Sequence, residues 1–224
     1  MNHSTTRRLT VSAVMLALST VLAAVCELIP FLNLPFGGGF TIASALPVII
    51  VSYMYGVKHG LFTAFAYALI QVAMDLMMGG KSTIKALFLP NSDSYQGIAA
   101  AIFILLIDYL IAYTCLGFGG LFRNRLGKTG ALCVGSIVAL ALRYAAHVIS
   151  GAIFYGAWAE WFFTDTIAAS WGISKWVMAN VGGGLLSVVY SLVYNGCYML
   201  PEILITAVAA TIVARIPNIR KVEK

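Results

Sequence analysis

Arg143 and His147 lie one helical turn apart in "RYAAHVISGAIFYG" (143 to 156), within a chain that is otherwise strongly apolar. At 3.6 residues per turn, Arg143, His147 and Gly151 share a face, with Tyr144, Val148 and Tyr155 beside it. Other apolar runs carry Asp108, Tyr109, Tyr190, Asn195 and Glu202. A carboxylate accepts hydrogen bonds and favours a cation, His and Asn donate or accept, and tyrosines offer ring faces. Together these groups suit a flat, hydrogen-bonding, cationic small molecule. A competing reading pairs Asp108 with Arg143 in a buried salt bridge, each neutralising the other. It leaves His147 and Asn195 to hydrogen-bond between helices.

The elements that must position these residues follow from composition. The chain is 61% hydrophobic and only 10% charged over 224 residues, whereas soluble domains carry about 25% charged residues. That predicts an integral membrane protein. A span takes about 20 apolar residues, and Pro, Gly and charge divide the sequence into runs at 9 to 29, 40 to 56, 59 to 78, 97 to 121, 131 to 156 and 182 to 214. The expectation is an all-α, single-domain bundle of six transmembrane helices over residues 1 to 224. Arg7 and Arg8 before an apolar run imitate a signal peptide, but Leu9 to Ile29 is longer than a signal core and lacks a clear cleavage site, so it reads as the first span.

The net charge of +6 marks topology rather than nucleic-acid binding. Arg7, Arg8, Lys58, Arg123, Arg125, Lys128, Arg215, Arg220, Lys221 and Lys224 fall on one side of these spans, against Lys81, Lys85 and Lys175 on the other. The positive-inside rule places both termini in the cytoplasm.

An ionisable group within a span costs about 2.5 to 3.5 kcal/mol on insertion scales and faces a bundle interior, cavity or partner. From the rise per residue, Asp108 and His147 lie roughly 15 and 14 Å in from the outer membrane face, and Tyr190 and Asn195 roughly 12 and 20 Å. Three helices thus offer polar groups at similar depth, in a site opening outward. Glu27 and Asp75 fall near span ends and carry less information. Glu202 follows Pro201, which frees a carbonyl and suggests a kink or hinge. The connection from Ala157 to Gly184 holds four tryptophans and reads either as an aromatic belt at the headgroups or as a lid. Another outer connection, "FLNLPFGGGF", carries three consecutive glycines.

Cys26, Cys115, Cys133 and Cys197 lack metal-type spacing and read as packing residues, so no metal site is expected. A Walker-type loop and the signatures of intramembrane hydrolysis are absent, which excludes ATP hydrolysis by that route and offers no catalytic residues. An intramembrane acid-base pair of Asp108 and His147 is the enzymatic alternative.

"DYLIAYTCLGFGGLF" (108 to 122), "LRYAAHVISGAIFYG" (142 to 156) and "YSLVYNGCYMLPE" (190 to 202) resemble the fourth, fifth and sixth helices of the thiamine-specific substrate-binding subunits, or S-components, of energy-coupling factor transporters. "LPVIIVSYMYGVKHG" (46 to 60) resembles their second and third. The resemblance implies a multi-pass subunit of the bacterial plasma membrane that binds vitamin from outside. It then associates with a membrane coupling protein and two ATPase subunits, which use ATP to drive its toppling. Thiamine is the implied ligand, with no cofactor in the chain itself.

By this resemblance Asp108 takes the place of the acidic residue that bonds the aminopyrimidine, with Tyr109 beside it, while His147, Tyr190 and Asn195 line the same pocket. Tyr155 stands where the family has a tryptophan stacked on the ligand, and Asp108 where it has a glutamate. Ala13 and Ala17 match the A-x-x-x-A contact with the coupling protein, small residues that permit close helix approach; internal packing is their other reading. A related vitamin or thiamine precursor is the alternative ligand.

Overall fold

A computed structural model describes residues 3–34, 39–78 and 82–219. The helices are α1 (His3–Glu27), α2 (Leu46–Tyr55), α3 (Val57–Met77), α4 (Thr83–Phe88), α5 (Ile98–Gly120), α6 (Lys128–Phe154), α7 (Ala159–Asp165), α8 (Gly172–Asn180) and α9 (Gly183–Val213). Their faces are sorted as a bilayer requires. On α1 the exposed side chains are Val14, Leu18, Val21 and Val25, while Ser12, Ser19, Ala23 and Cys26 turn inward. Small and weakly polar residues let helices approach where lipid supplies no hydrophobic contrast.

Among the described residues, five helices are long and apolar enough to cross a bilayer: α1, α3, α5, α6 and α9. The second expected run, 40 to 56, is not among them. Only its 10 residues Leu46–Tyr55 are helical, about 15 Å of rise against a hydrocarbon core of about 30 Å. Its start is limited by Ala43, which sits at φ 56°, a left-handed conformation disfavoured for a side chain bearing Cβ. Pro47 occupies the first turn, where its missing N–H costs nothing. Every residue from Leu46 to Met54 is buried, so the uniformly apolar sequence reflects a core helix enclosed by the others. Of the three-glycine loop, Gly37 and Gly38 lie outside the described residues, and Gly39 pairs with Asn33 in an antiparallel bridge.

The N-terminal half of α1 and the end of α9 meet at one end of the bundle. Val11 and Met15 of α1 pack with Tyr53 of α2, Ala131 of α6 and Ala210, Ala214 and Ile219 at the C-terminal side. The Lys128 ammonium donates to the Ile216 carbonyl, and Arg8 lies over the Tyr55 ring at 5.9 Å. The opposite end is assembled on the α6–α9 pair, the largest interface in the bundle. There Gly151 lets α9 approach so closely that an added Cβ would fall 2.2 Å from Ser191 Oγ.

The tryptophan-rich connection folds into α7 and α8. Phe162 and Phe163 are buried, and Phe162 stands edge-on to Tyr190, Tyr194 and Trp171 at 5.3, 5.9 and 6.1 Å, whereas Trp161 and Trp176 are exposed. One part of the aromatic set therefore walls the bundle and the other faces its surroundings.

Candidate functional site

A cavity of about 340 Å³ opens at the end of the bundle away from Val11 and Ile219, among α1, α3, α5, α6 and α9. Its size falls within the range of about 300 to 1,000 Å³ for small-molecule sites. Asp108, Tyr109, His147, Tyr155, Tyr190 and Asn195, all singled out from the sequence, line it together. Ala13 and Ala17 lie elsewhere, exposed on the outer face of α1.

Asp108 and Tyr109 owe their placement to a change of helix type. From Leu105 to Ile111, α5 widens into π turns, whose i→i+5 bonds recur at functional sites. Ile104 and Tyr113, both on the cavity wall, are nine residues apart, or two and a half turns of a regular α-helix, which would set them on opposite faces. The wider turns absorb the excess, so Ile104, Asp108, Tyr109 and Tyr113 face inward together.

Asp108 Oδ1 lies 3.0 Å from His147 Nδ1, and its Oδ2 accepts from Ser150 Oγ at 2.7 Å. A carboxylate beside Nδ1 favours the tautomer with the proton there, leaving the Nε2 lone pair outward when the ring is neutral. His147 Nε2 is buried without a protein partner. Asp108 also keeps acceptor capacity, since a carboxylate offers about four lone-pair sites.

The suggested Asp108–Arg143 bridge is not formed. Arg143 Nη1 instead meets Glu202 Oε1 at 3.1 Å, both side chains buried, with the guanidinium 4.3 Å from the Tyr113 ring centroid. Thr41 donates to the same Glu202 oxygen at 3.1 Å. Glu202, which sequence reading assigned to a proline kink, thus supplies the counter-charge at the cavity floor, and α9 runs as a helix through Pro201.

Asn195 lies on the wall with its amide engaged. Its Nδ2 donates to the Ser191 carbonyl and hydroxyl at 2.9 and 3.0 Å, and its Oδ1 accepts from Tyr198 at 2.5 Å. Tyr109 donates to Asp75 Oδ2 at 2.8 Å.

Several wall residues escaped sequence reading. Tyr194 and Tyr198 continue from Tyr190 in a column, with successive ring centroids 5.8 and 6.2 Å apart. The signal was present as the four-residue spacing of "YSLVYNGCY". Tyr113 follows Tyr109 at the same interval, and Gln71 and Asp75 do so on α3. Glu27 and Asp75, discounted as lying near span ends, both border the cavity, because the cavity itself sits near the bundle end. With Arg143 already facing Glu202, the carboxylates of Glu27, Asp75 and Asp108 bias the lining toward a cation. The tyrosine faces suit a flat ring, with cation–π attraction of about 0.5 to 2 kcal/mol per contact.

The chain is similar to known proteins over most of its length. The model of the thiamine transporter protein family (Thia_YuaJ) matches residues 9–89 and 92–163. The thiamine transporter ThiT of Bacillus subtilis (strain 168) is 30% identical over 205 residues, covering 86% of this chain and 84% of the relative. A solved structure of ThiT from Listeria monocytogenes superposes with a TM-score of 0.54 at 18% identity, covering 91% of this chain and 94% of the other, a likeness of fold.

Proposed function

The chain belongs to the thiamine transporter protein family, and from that premise we propose that it captures thiamine in the cavity around Asp108 and His147 as the substrate-binding S-component of an energy-coupling factor importer. It is a multi-pass membrane protein and a transporter, not an enzyme. The observation that carries the binding reading is the Asp108–His147 pair, with the unpartnered His147 Nε2 on an aromatic, acid-rich wall.

In this reading the aminopyrimidine meets Asp108 and His147, where donors and acceptors are both on offer, and the tyrosine faces take the flat cationic remainder. Tyr155 and Tyr190 bound the site from α6 and α9, and Tyr155 gives a smaller stacking face than the family's tryptophan. Tyr109 stands next to the acidic residue, and Asn195 orients Tyr198. ATP is consumed by two partner ATPases, and the coupling protein docks on α1 at Ala13 and Ala17. Their outward exposure supports that docking over internal packing.

Calorimetry on the purified chain is the test, with thiamine, its separated pyrimidine and riboflavin as ligands. Thiamine should bind most tightly, and Asp108→Ala and His147→Ala should each weaken it by about 1.5 to 3 kcal/mol, roughly tenfold to a hundredfold. Well-folded protein that shows no thiamine binding refutes the proposal. In the same series, Ala13→Leu/Ala17→Leu should bind thiamine normally yet fail in cellular uptake with the coupling protein and ATPases present. Undiminished uptake would remove α1 as the docking face.

A further inference from the structure

Asp75 borders the cavity, yet its carboxylate is already saturated. Oδ1 accepts from Ser82 Oγ at 2.5 Å and from the Ile84 amide at 3.0 Å, while Oδ2 accepts from the Thr83 amide at 3.2 Å and from Tyr109 Oη at 2.8 Å. Four donors fill the roughly four lone-pair sites of a carboxylate. A ligand would have to displace one of them to bind Asp75 directly, so whatever Asp75 does for the site it does through the groups it holds.

Those groups belong to two different walls. Thr83 and Ile84 form the first turn of α4, where otherwise unpaired amides need acceptors, and Thr83 itself lines the cavity. Tyr109 lies in the π turns of α5, directly after Asp108. Asp75, at the end of α3, is the single side chain among the described residues bonded to both. Because the π turns set the register that turns Tyr109 inward, a side-chain anchor on its hydroxyl holds that register in place.

We propose that Asp75 is a positioning residue of the binding site, a latch that ties α3, the start of α4 and Tyr109 together and thereby fixes the wall beside Asp108. The proposal rests on the thiamine-binding reading above. It assigns Asp75 no direct ligand contact: its contribution passes through the Tyr109 hydroxyl and is lost when either end of that bond is removed.

A double-mutant cycle in thiamine affinity tests this, using the full-length chain in detergent with Asp75→Asn, Tyr109→Phe and the double variant. Each single change should weaken binding about tenfold, as expected for one charge-assisted hydrogen bond, and the double variant should be no weaker than Asp75→Asn alone. Losses that multiply to about a hundredfold, or wild-type affinity in Asp75→Asn, overturn the latch. Loss of the α4 cap alone would lower stability but would not produce this non-additivity. Hydrogen exchange of the 105–111 segment separates the two proposals. If wild-type protein binds no thiamine, the transport reading fails on its own. The latch then stands if exchange there quickens alike in Asp75→Asn and Tyr109→Phe, and falls if exchange is unchanged in either.

Discussion

At the scale of single residues, the polar groups of this chain divide into those that face the cavity and those that make such facing tolerable. His147 and Asp108 belong to the first kind, and Glu202 to the second. Glu202 is fully buried and its Oε1 takes both Arg143 and Thr41. Removing one member of a buried pair leaves an uncompensated charge, costing about 3 to 5 kcal/mol, whereas replacing both by apolar residues of similar volume is often neutral. Arg143→Met should therefore lower the unfolding midpoint in detergent sharply, and Arg143→Met/Glu202→Met should recover most of the loss. A double variant no more stable than the single would show that the pair does not act as a unit. The types and depths of Asp108, His147 and Asn195 were legible in the sequence, because a costly polar residue inside a span needs a reason. Arg143's partner was not: two acidic residues lay at plausible depths, and only the approach of α9 to α6 decides between them.

At the scale of elements, regular periodicity was readable and departures from it were not. Four of the long helices, α3, α5, α6 and α9, match the expected runs to within three residues at each end. The two irregularities, the short buried α2 and the π turns of α5, left no mark in hydropathy. A core helix and a lipid-facing one are equally apolar, and a π turn is a matter of one residue's register. The α6–α9 contact was legible only as a face, Arg143, His147 and Gly151. What the glycine does there is steric. Ser191 Oγ, which a Cβ at position 151 would meet at 2.2 Å, donates to the Val148 carbonyl at 2.8 Å and accepts from Asn195. Gly151→Ala should push Ser191 away and disturb Asn195 and the Tyr198 bond behind it. Stability should fall by about 1 to 3 kcal/mol, the usual cost of overpacking, and thiamine should bind less tightly. Adding Ser191→Ala removes the clashing oxygen and should restore part of the stability, as differential scanning fluorimetry would register. Equal losses in the single and double variants would place the fault elsewhere.

At the scale of the whole molecule, the cavity and the contact between the start of α1 and the end of α9 lie at opposite ends of one bundle, so the orientation of the chain in the membrane decides which side the site serves. The basic residues supply the argument. Arg8, Arg123 and Lys128 gather at the end where the start of α1 and the end of α9 meet. Lys85 and Lys175 belong to α4 and α8 beside the cavity end. Because an excess of Lys and Arg marks the cytoplasmic side, the cavity is predicted to face outward, as the proposed capture of an external vitamin requires. Single cysteines test this directly. Lys175 and Arg125 are both exposed, and the native cysteines lie within helices, either buried or half-buried, so the parent protein sets a low background. In intact cells, a membrane-impermeant thiol reagent should label Lys175→Cys promptly and reach Arg125→Cys only after permeabilisation. The reverse pattern would turn the site to the cytoplasm. An importer's binding subunit could not then load from outside, and the same polar cavity would have to serve a release step.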